Sequence, residues 1–225
     1  MKILYFDEIK TKIPNLAVTI GQFDGLHIAH MKLLNECLNS KNHKAVITFD
    51  PLIINVLGID NTYPILEIDD KIKKCEELGF DYFIIIKTTK EFLSLNKDEF
   101  IKVLNEKLEI KKLIVGFDFT FGKMGSGKAN DLNIFNTIII PKIVIDNKKI
   151  GTKLIKEYLK DGNIKEANKY LGYNFYLKMN NNSFNSSLNL LANKEYKVLI
   201  DGKEAIINPF MESKITNNSI IEFIE

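Results

Sequence analysis

The chain has 225 residues, 45% of them hydrophobic and 27% charged, a composition that supports a buried core in one domain of ordinary size plus a small appendage. Its 31 basic and 29 acidic residues leave a formal charge of +2, which makes no case for a nucleic-acid binder. Every basic side chain is lysine, so an anion site here must use ammonium point charges, imidazoles and backbone N–H groups instead of a guanidinium fork.

The N-terminal MKILYFDEIK turns acidic by its seventh residue without an apolar h-region, and no later apolar run reaches the ~18 residues of a membrane span. A cytoplasmic protein with no membrane partner is expected. Cys37 and Cys75 are too few for a disulfide framework, and each sits in a helical pattern where a small buried thiol is the plain reading.

Strand-length apolar runs alternate with stretches of helical period, the pattern of an α/β chain with a parallel sheet and crossover helices. The first strand is expected at 15–21 (NLAVTIG), followed by GQFDGLHIAH and a helix over 27–39. In open α/β sheets ligands bind at the carboxyl ends of strands, where the next helix offers unpaired N–H groups to an anion. Gly21 and Gly25 bracket the turn, Asp24 can tie it together, and His27 and His30 share one face of the helix's first turn. An imidazole there can donate to a phosphoryl oxygen and, when protonated, oppose charge building at phosphorus. The competing reading makes His30 a core histidine on the Leu26, Leu33, Cys37 stripe and leaves His27 exposed.

Further strands are expected at 44–49, 81–87, 112–118 and 138–145, and helices at 67–78, 97–108, 152–160 and 163–171. Asn96 with Glu99 three residues on reads as a capping box. GKMGSGKA at 122–129 nearly matches a phosphate-cradling P-loop but fails at Ala129, where a magnesium-binding hydroxyl is needed. After Leu171 the chain turns Asn/Ser-rich, then breaks into short runs with a hairpin signal at Asp201-Gly202. These changes place a boundary near 172, with a small β-rich subdomain beyond it.

Four ordered segments carry a resemblance to a known family. GQFDGLHIAHMKLL resembles the GxFDGxHxGHxxLL segment of the adenylyltransferase module in bacterial bifunctional riboflavin kinase/FMN adenylyltransferases, the prokaryotic FAD synthetases. VITFDP at 46–51 is similar to that family's TFxPHP strand end, IVGFDFTFGKMGSG at 114–127 to its VGxDFxFGxxxxG loop, and LKDGNIKEANKYLGYNFYL at 159–177 to its LxxGxxxxAxxLLGRPYxL segment.

The resemblance implies a Rossmann-like nucleotidyltransferase domain over 1–172 and a reduced riboflavin-kinase-like remnant over 173–225. It implies AMP transfer from ATP to FMN, giving FAD and pyrophosphate, with Mg2+ accompanying the ATP. His27 and His30 would be catalytic; Gly21, Phe23, Asp24, Gly25, Thr152, Lys153 and Lys156 would bind ATP; Gly116, Asp118 and Phe121 would bind FMN, with no dedicated metal ligand. This chain departs at Ala29, at Leu52-Ile53 in place of His-Pro, and at IGTKLIK (150–156) in place of ISSTxIR, where Thr152 would supply a hydroxyl and Lys153 or Lys156 the cation. The family's kinase stretch, GRxLGxPTAN, does not occur. Two alternatives stay open: another small-molecule nucleotidyltransferase, and a non-catalytic flavin- or nucleotide-binding protein.

Overall fold

The computed structural model describes residues 1–180, 183–211 and 218–225. Five strands of its first sheet are β1 (Lys2–Tyr5), β2 (Ile13–Ile20), β3 (His43–Asp50), β4 (Tyr82–Lys87) and β5 (Leu108–Gly116). A sixth, Thr137–Ile140, joins them in the order β1-β4-β3-β2-β5-(137–140), and every pairing is parallel. Helices flank the sheet, so the α/β, Rossmann-like expectation holds. The central strands read as continuous apolar runs because both of their faces are covered: Val18, Ile47, Ile84 and Leu113 pack into the core cluster, and their neighbours Ala17, Val46, Phe83 and Ile114 are just as buried.

Local sequence explains the helices that frame the sheet. Asn96 accepts from the Asp98 and Glu99 N–H groups while the Glu99 carboxylate accepts from Asn96 N, the expected capping box of helix Lys97–Lys107. Cys37, on helix Ile28–Leu38, donates its thiol to Ala17 O at 3.4 Å. The 138–145 strand is divided: Thr137–Ile140 stays in the parallel sheet, whereas Val144–Ile145 pairs antiparallel with Lys148–Lys149. Pro141 between them has no N–H to donate to a ladder. The β1 strand, missed in the sequence, is four residues long and lies at the sheet edge.

The chain forms two compact units, each built from separated segments. The first comprises Met1–Phe23, His30–Asn61 and Ile68–Ile143; the second comprises Asp24–Ala29, Thr62–Glu67 and Val144–Glu225. The second holds helices Thr152–Lys160 and Ile164–Leu171 and an antiparallel sheet in the order 183–184, 176–180, 220–223, 196–200, 203–207. Gly172 ends the second helix in the left-handed region at φ +83, as a C-terminal cap does. Asn168 on that helix donates to Phe223 O at 2.8 Å and accepts from Phe175 N at 2.7 Å, pinning helix to sheet. Asp201 and Gly202, at φ +48 and +83, form the predicted hairpin turn between Tyr196–Ile200 and Lys203–Ile207. Among the described residues no helix is long and apolar enough to cross a membrane.

Candidate functional site

In the first unit the motif enters as Gly21-Gln22-Phe23, at the carboxyl end of β2. Phe23 is buried at φ +47, and its ring lies 3.3 Å from where a Cβ on Gly21 would stand, so the glycine lets the ring fold back under the turn. The same ring meets the His30 imidazole edge-on. Gln22 bridges the turn to the next strand end: its amide donates to Phe49 O at 2.6 Å, its carbonyl oxygen accepts from Ile53 N at 3.1 Å, and Thr48 donates to Gln22 O at 3.0 Å. Ile53, in the Leu52-Ile53 pair that stands where the family carries His-Pro, thereby remains tied to the motif through its backbone N–H.

Gly116 closes β5, and a Cβ there would stand 3.2 Å from Asp118 Oδ1, the exposed carboxylate after the turn. The Gly-rich segment is a short hairpin, Thr120–Phe121 against Gly127–Lys128, with a 3-10 turn between them, and the chain from Ala129 to Phe135 is again 3-10. No α-helix begins there, which removes the P-loop reading on geometry as well as on Ala129. Gly127 is required because a Cβ would come within 2.5 Å of the Phe121 ring. Asp131 accepts from Lys128 N at 2.7 Å and from Lys97 Nζ at 3.1 Å, and these two hydrogen bonds hold its carboxyl below the usual carboxylate range and the hairpin in place.

Beside this hairpin lies a cavity of about 760 Å3, walled by Phe49, Ile53, Phe92, Phe100, Phe121 and Gly122. Phe121 stacks on Phe119 at 5.9 Å and packs on Phe100 at 4.8 Å, so it is at once core residue and cavity wall. An apolar, aromatic-walled volume of this size suits a flat heterocycle. Of the three FMN residues expected from sequence, Phe121 lines it, and Gly116 and Asp118 do not. The walls from Phe49, Ile53 and Phe92 were not expected from sequence because they come from separate segments; Phe49 and Ile53 lay in the stretch compared with TFxPHP, and Phe92 in no recognised motif.

In the second unit, Asp24, Thr152 and Lys156 come together. Lys156 Nζ stands 2.9 Å from Asp24 Oδ2, Asp24 Oδ1 accepts from Ile65 N at 2.7 Å, and the Thr152 hydroxyl donates to Asp24 O at 3.2 Å. Gly25 adopts φ +83 with Ile65 packed against it, and its carbonyl accepts from Tyr173 OH at 2.7 Å, a contact the sequence did not signal. Lys153 is exposed. His27 is buried at 3% exposure, whereas His30 is half-buried, the reverse of the exposures in the competing core-histidine reading. Among the described residues no group of three or more His, Cys, Asp or Glu is arranged to hold a metal.

The model for the family described as FAD synthetase matches residues 9–156. The chain is 31% identical over 181 residues to the bifunctional riboflavin kinase/FMN adenylyltransferase of Bacillus subtilis (strain 168), covering 76% of this chain and 57% of that protein. It is 34% identical over 185 residues to the protein of the same name from Buchnera aphidicola subsp. Acyrthosiphon pisum, covering 76% and 59%, and 26% identical over 177 residues to the FAD synthetase of Listeria monocytogenes serovar 1/2a, covering 71% and 70%. It thus spans little more than half the length of the bifunctional relatives it matches. A crystal structure titled macrolide-efflux protein, from Streptococcus pneumoniae, superposes with a TM-score of 0.77 over 100% of this chain and 90% of that one at 22% identity, a likeness of fold alone.

Proposed function

This chain belongs to the FAD synthetase family, and from that premise we propose that it is an FMN adenylyltransferase, forming FAD and pyrophosphate from FMN and MgATP. A phosphate oxygen of FMN attacks the α-phosphorus of ATP; the bond from that phosphorus to the bridging oxygen breaks, and pyrophosphate leaves with its negative charge. No side-chain nucleophile is needed. His27 and His30 donate to the phosphoryl oxygens and oppose the charge that builds during transfer. Gly21, Phe23, Asp24 and Gly25 shape the turn that faces the phosphates, Thr152 braces that turn by donating to Asp24 O, and Lys153 supplies the cation. Magnesium arrives with ATP as part of the substrate, held chiefly by phosphate oxygens and water, as this ion ordinarily is in such reactions.

The observation that carries the reading is the aromatic-walled cavity of about 760 Å3, which is wide enough for an isoalloxazine ring and is bounded by Phe121 of the family's DFxFG-type loop. Gly116 and Asp118, at the root of that loop and outside the cavity lining, are assigned to the part of FMN that extends beyond the cavity. Residues 173–225 are read as a β-rich tail without kinase chemistry of its own.

The test is chromatographic detection of FAD after the protein is given FMN and MgATP. FAD and pyrophosphate in equal amounts support the reading. The changes at Leu52-Ile53 and in IGTKLIK favour a non-catalytic binder as second reading; calorimetric binding of FMN and ATP with no product would select it. AMP transfer to another phosphorylated acceptor, with FMN inert, would place the chain among other small-molecule nucleotidyltransferases.

A further inference from the structure

Asp24 and Lys156 belong to two motifs 132 positions apart, and in the second unit they meet with almost no access to water. The Lys156 side chain is 10% exposed and that of Asp24 2%, with 2.9 Å between Nζ and Oδ2. Beside this ion pair, the ammonium donates to Thr62 Oγ1 at 3.4 Å. Asp24 therefore has the Lys156 ammonium paired against one oxygen and accepts from the Ile65 N–H on the other, while its own carbonyl accepts from Thr152. These contacts join all three segments of the unit, 24–29, 62–67 and 144–225.

We infer that Lys156 is a positioning residue: its ammonium is the counter-charge of Asp24, the pair fixes the Asp24–Ala29 turn that carries His27, and Lys153 is the lysine of IGTKLIK that engages the triphosphate. This inference rests on the adenylyltransferase reading. A lysine already neutralised in the interior gains nothing by turning to a phosphate, because the move would leave the Asp24 carboxylate buried without a partner charge. Lys153, three residues earlier in the first turn of the same helix, is exposed, and no ion pair or hydrogen bond with another described residue occupies its ammonium. A single lysine point charge then does at the triphosphate what a guanidinium does by forked hydrogen bonding, so binding of ATP should depend steeply on that one charge.

The experiment compares Lys153→Gln, Lys156→Gln, Lys156→Arg, Asp24→Asn and the double variant Asp24→Asn/Lys156→Gln in the full chain, by calorimetric MgATP binding without FMN, by steady-state FAD formation and by thermal melting. Lys153→Gln should weaken MgATP about tenfold or more, whereas Lys156→Gln should keep its Kd within about threefold and lose about tenfold or more in kcat. Lys156→Arg, which restores the counter-charge, should recover most of that kcat. The double variant should melt no lower than either single variant, because removing both charges relieves the unpaired one. Equal weakening of MgATP by Lys153→Gln and Lys156→Gln, or additive losses in melting temperature, would overturn the assignment. If Lys156→Gln does not fold, Lys156→Arg decides the kinetic arm and Asp24→Asn the coupling arm: a low kcat for Lys156→Arg, or an unchanged melting temperature for Asp24→Asn, counts against the pair. Absence of FAD from the wild-type protein would refute the adenylyltransferase reading, while the melting cycle would still decide for or against the Asp24–Lys156 coupling.

Discussion

The Phe23 ring stands edge-on to the His30 imidazole, with centroids 5.2 Å apart and planes at 77°. The phenyl ring is buried and the imidazole half-buried, so the aromatic wall orients His30 without enclosing it. An edge contact of this kind contributes about 0.5–1.5 kcal/mol, so its loss alone would leave the chain folded.

His30→Ala should therefore stay folded and lose about 2.7–4 kcal/mol of transition-state stabilisation, read as a fall of roughly 10²–10³-fold in kcat for FAD formation. Thermal melting alongside the kinetics checks the first half. A folded variant with near-normal kcat would remove His30 from catalysis, and loss of the fold would return it to the core.

Phe92 is the cavity wall best placed for a test, being half-buried and in edge contact with Phe6 and Phe100. Phe92→Ala should raise the KM for FMN about tenfold while leaving the KM for ATP within about twofold, since only the flavin is assigned to that cavity. A parallel rise in both constants would mean general loosening instead of a lost ring contact.

How far the sequence could be read depended on whether a local rule was sufficient. The capping box at Asn96 and Glu99 and the Asp201-Gly202 turn need only neighbouring residues, and both form as expected. The strand expected over 138–145 divides at Pro141 despite six apolar β-branched residues around it. Gly21, Asp24 and Gly25 were visible as a turn, but that Asp24 would meet Lys156 was not, because a partner far along the chain leaves no mark on local spacing. The cavity wall was hidden for the same reason: Phe49 on a strand, Phe92 on a short helix and Phe121 in the hairpin meet only in the folded chain.

Burial pushes the thiols of Cys37 and Cys75 up from 9.0 to about 12. Both should resist iodoacetamide in the native protein at pH 8 and react once the chain is unfolded, as mass spectrometry of the alkylated protein can read. Because the folded values are raised, the contribution of these thiols to stability is complete below the unfolded thiol value and is lost as pH rises from there toward about 12. Urea midpoints should fall across that window, and the fall should be shallower in Cys37→Ala and Cys75→Ala. A midpoint independent of pH there, or rapid native alkylation, would contradict the burial.

With riboflavin and MgATP as the only substrates, the chain should form no FMN, yet it should form FAD when FMN is supplied. Residues 173–225 carry no GRxLGxPTAN stretch, and among the described residues of that segment Leu177, Met179, Val198, Ile221 and Phe223 are buried. FMN appearing at a rate comparable to FAD synthesis would require the tail to be reread as catalytic.

The interleaving of the two units sets a timetable for synthesis. Tyr173 reaches Gly25 across 148 positions, Ser187 reaches Pro64 across 123, and Ser186 reaches Glu67 across 119. None of these closures can form on a ribosome until most of the chain has emerged, and contacts of such long range slow folding because loop entropy is spent before they form. The Asp24–Ala29 turn, among the earliest segments made, is thus among the last to find its native partners. A nascent chain arrested before residue 173 would hold the motif residues without the hydroxyl that anchors Gly25, and should remain open to protease at that turn until translation resumes.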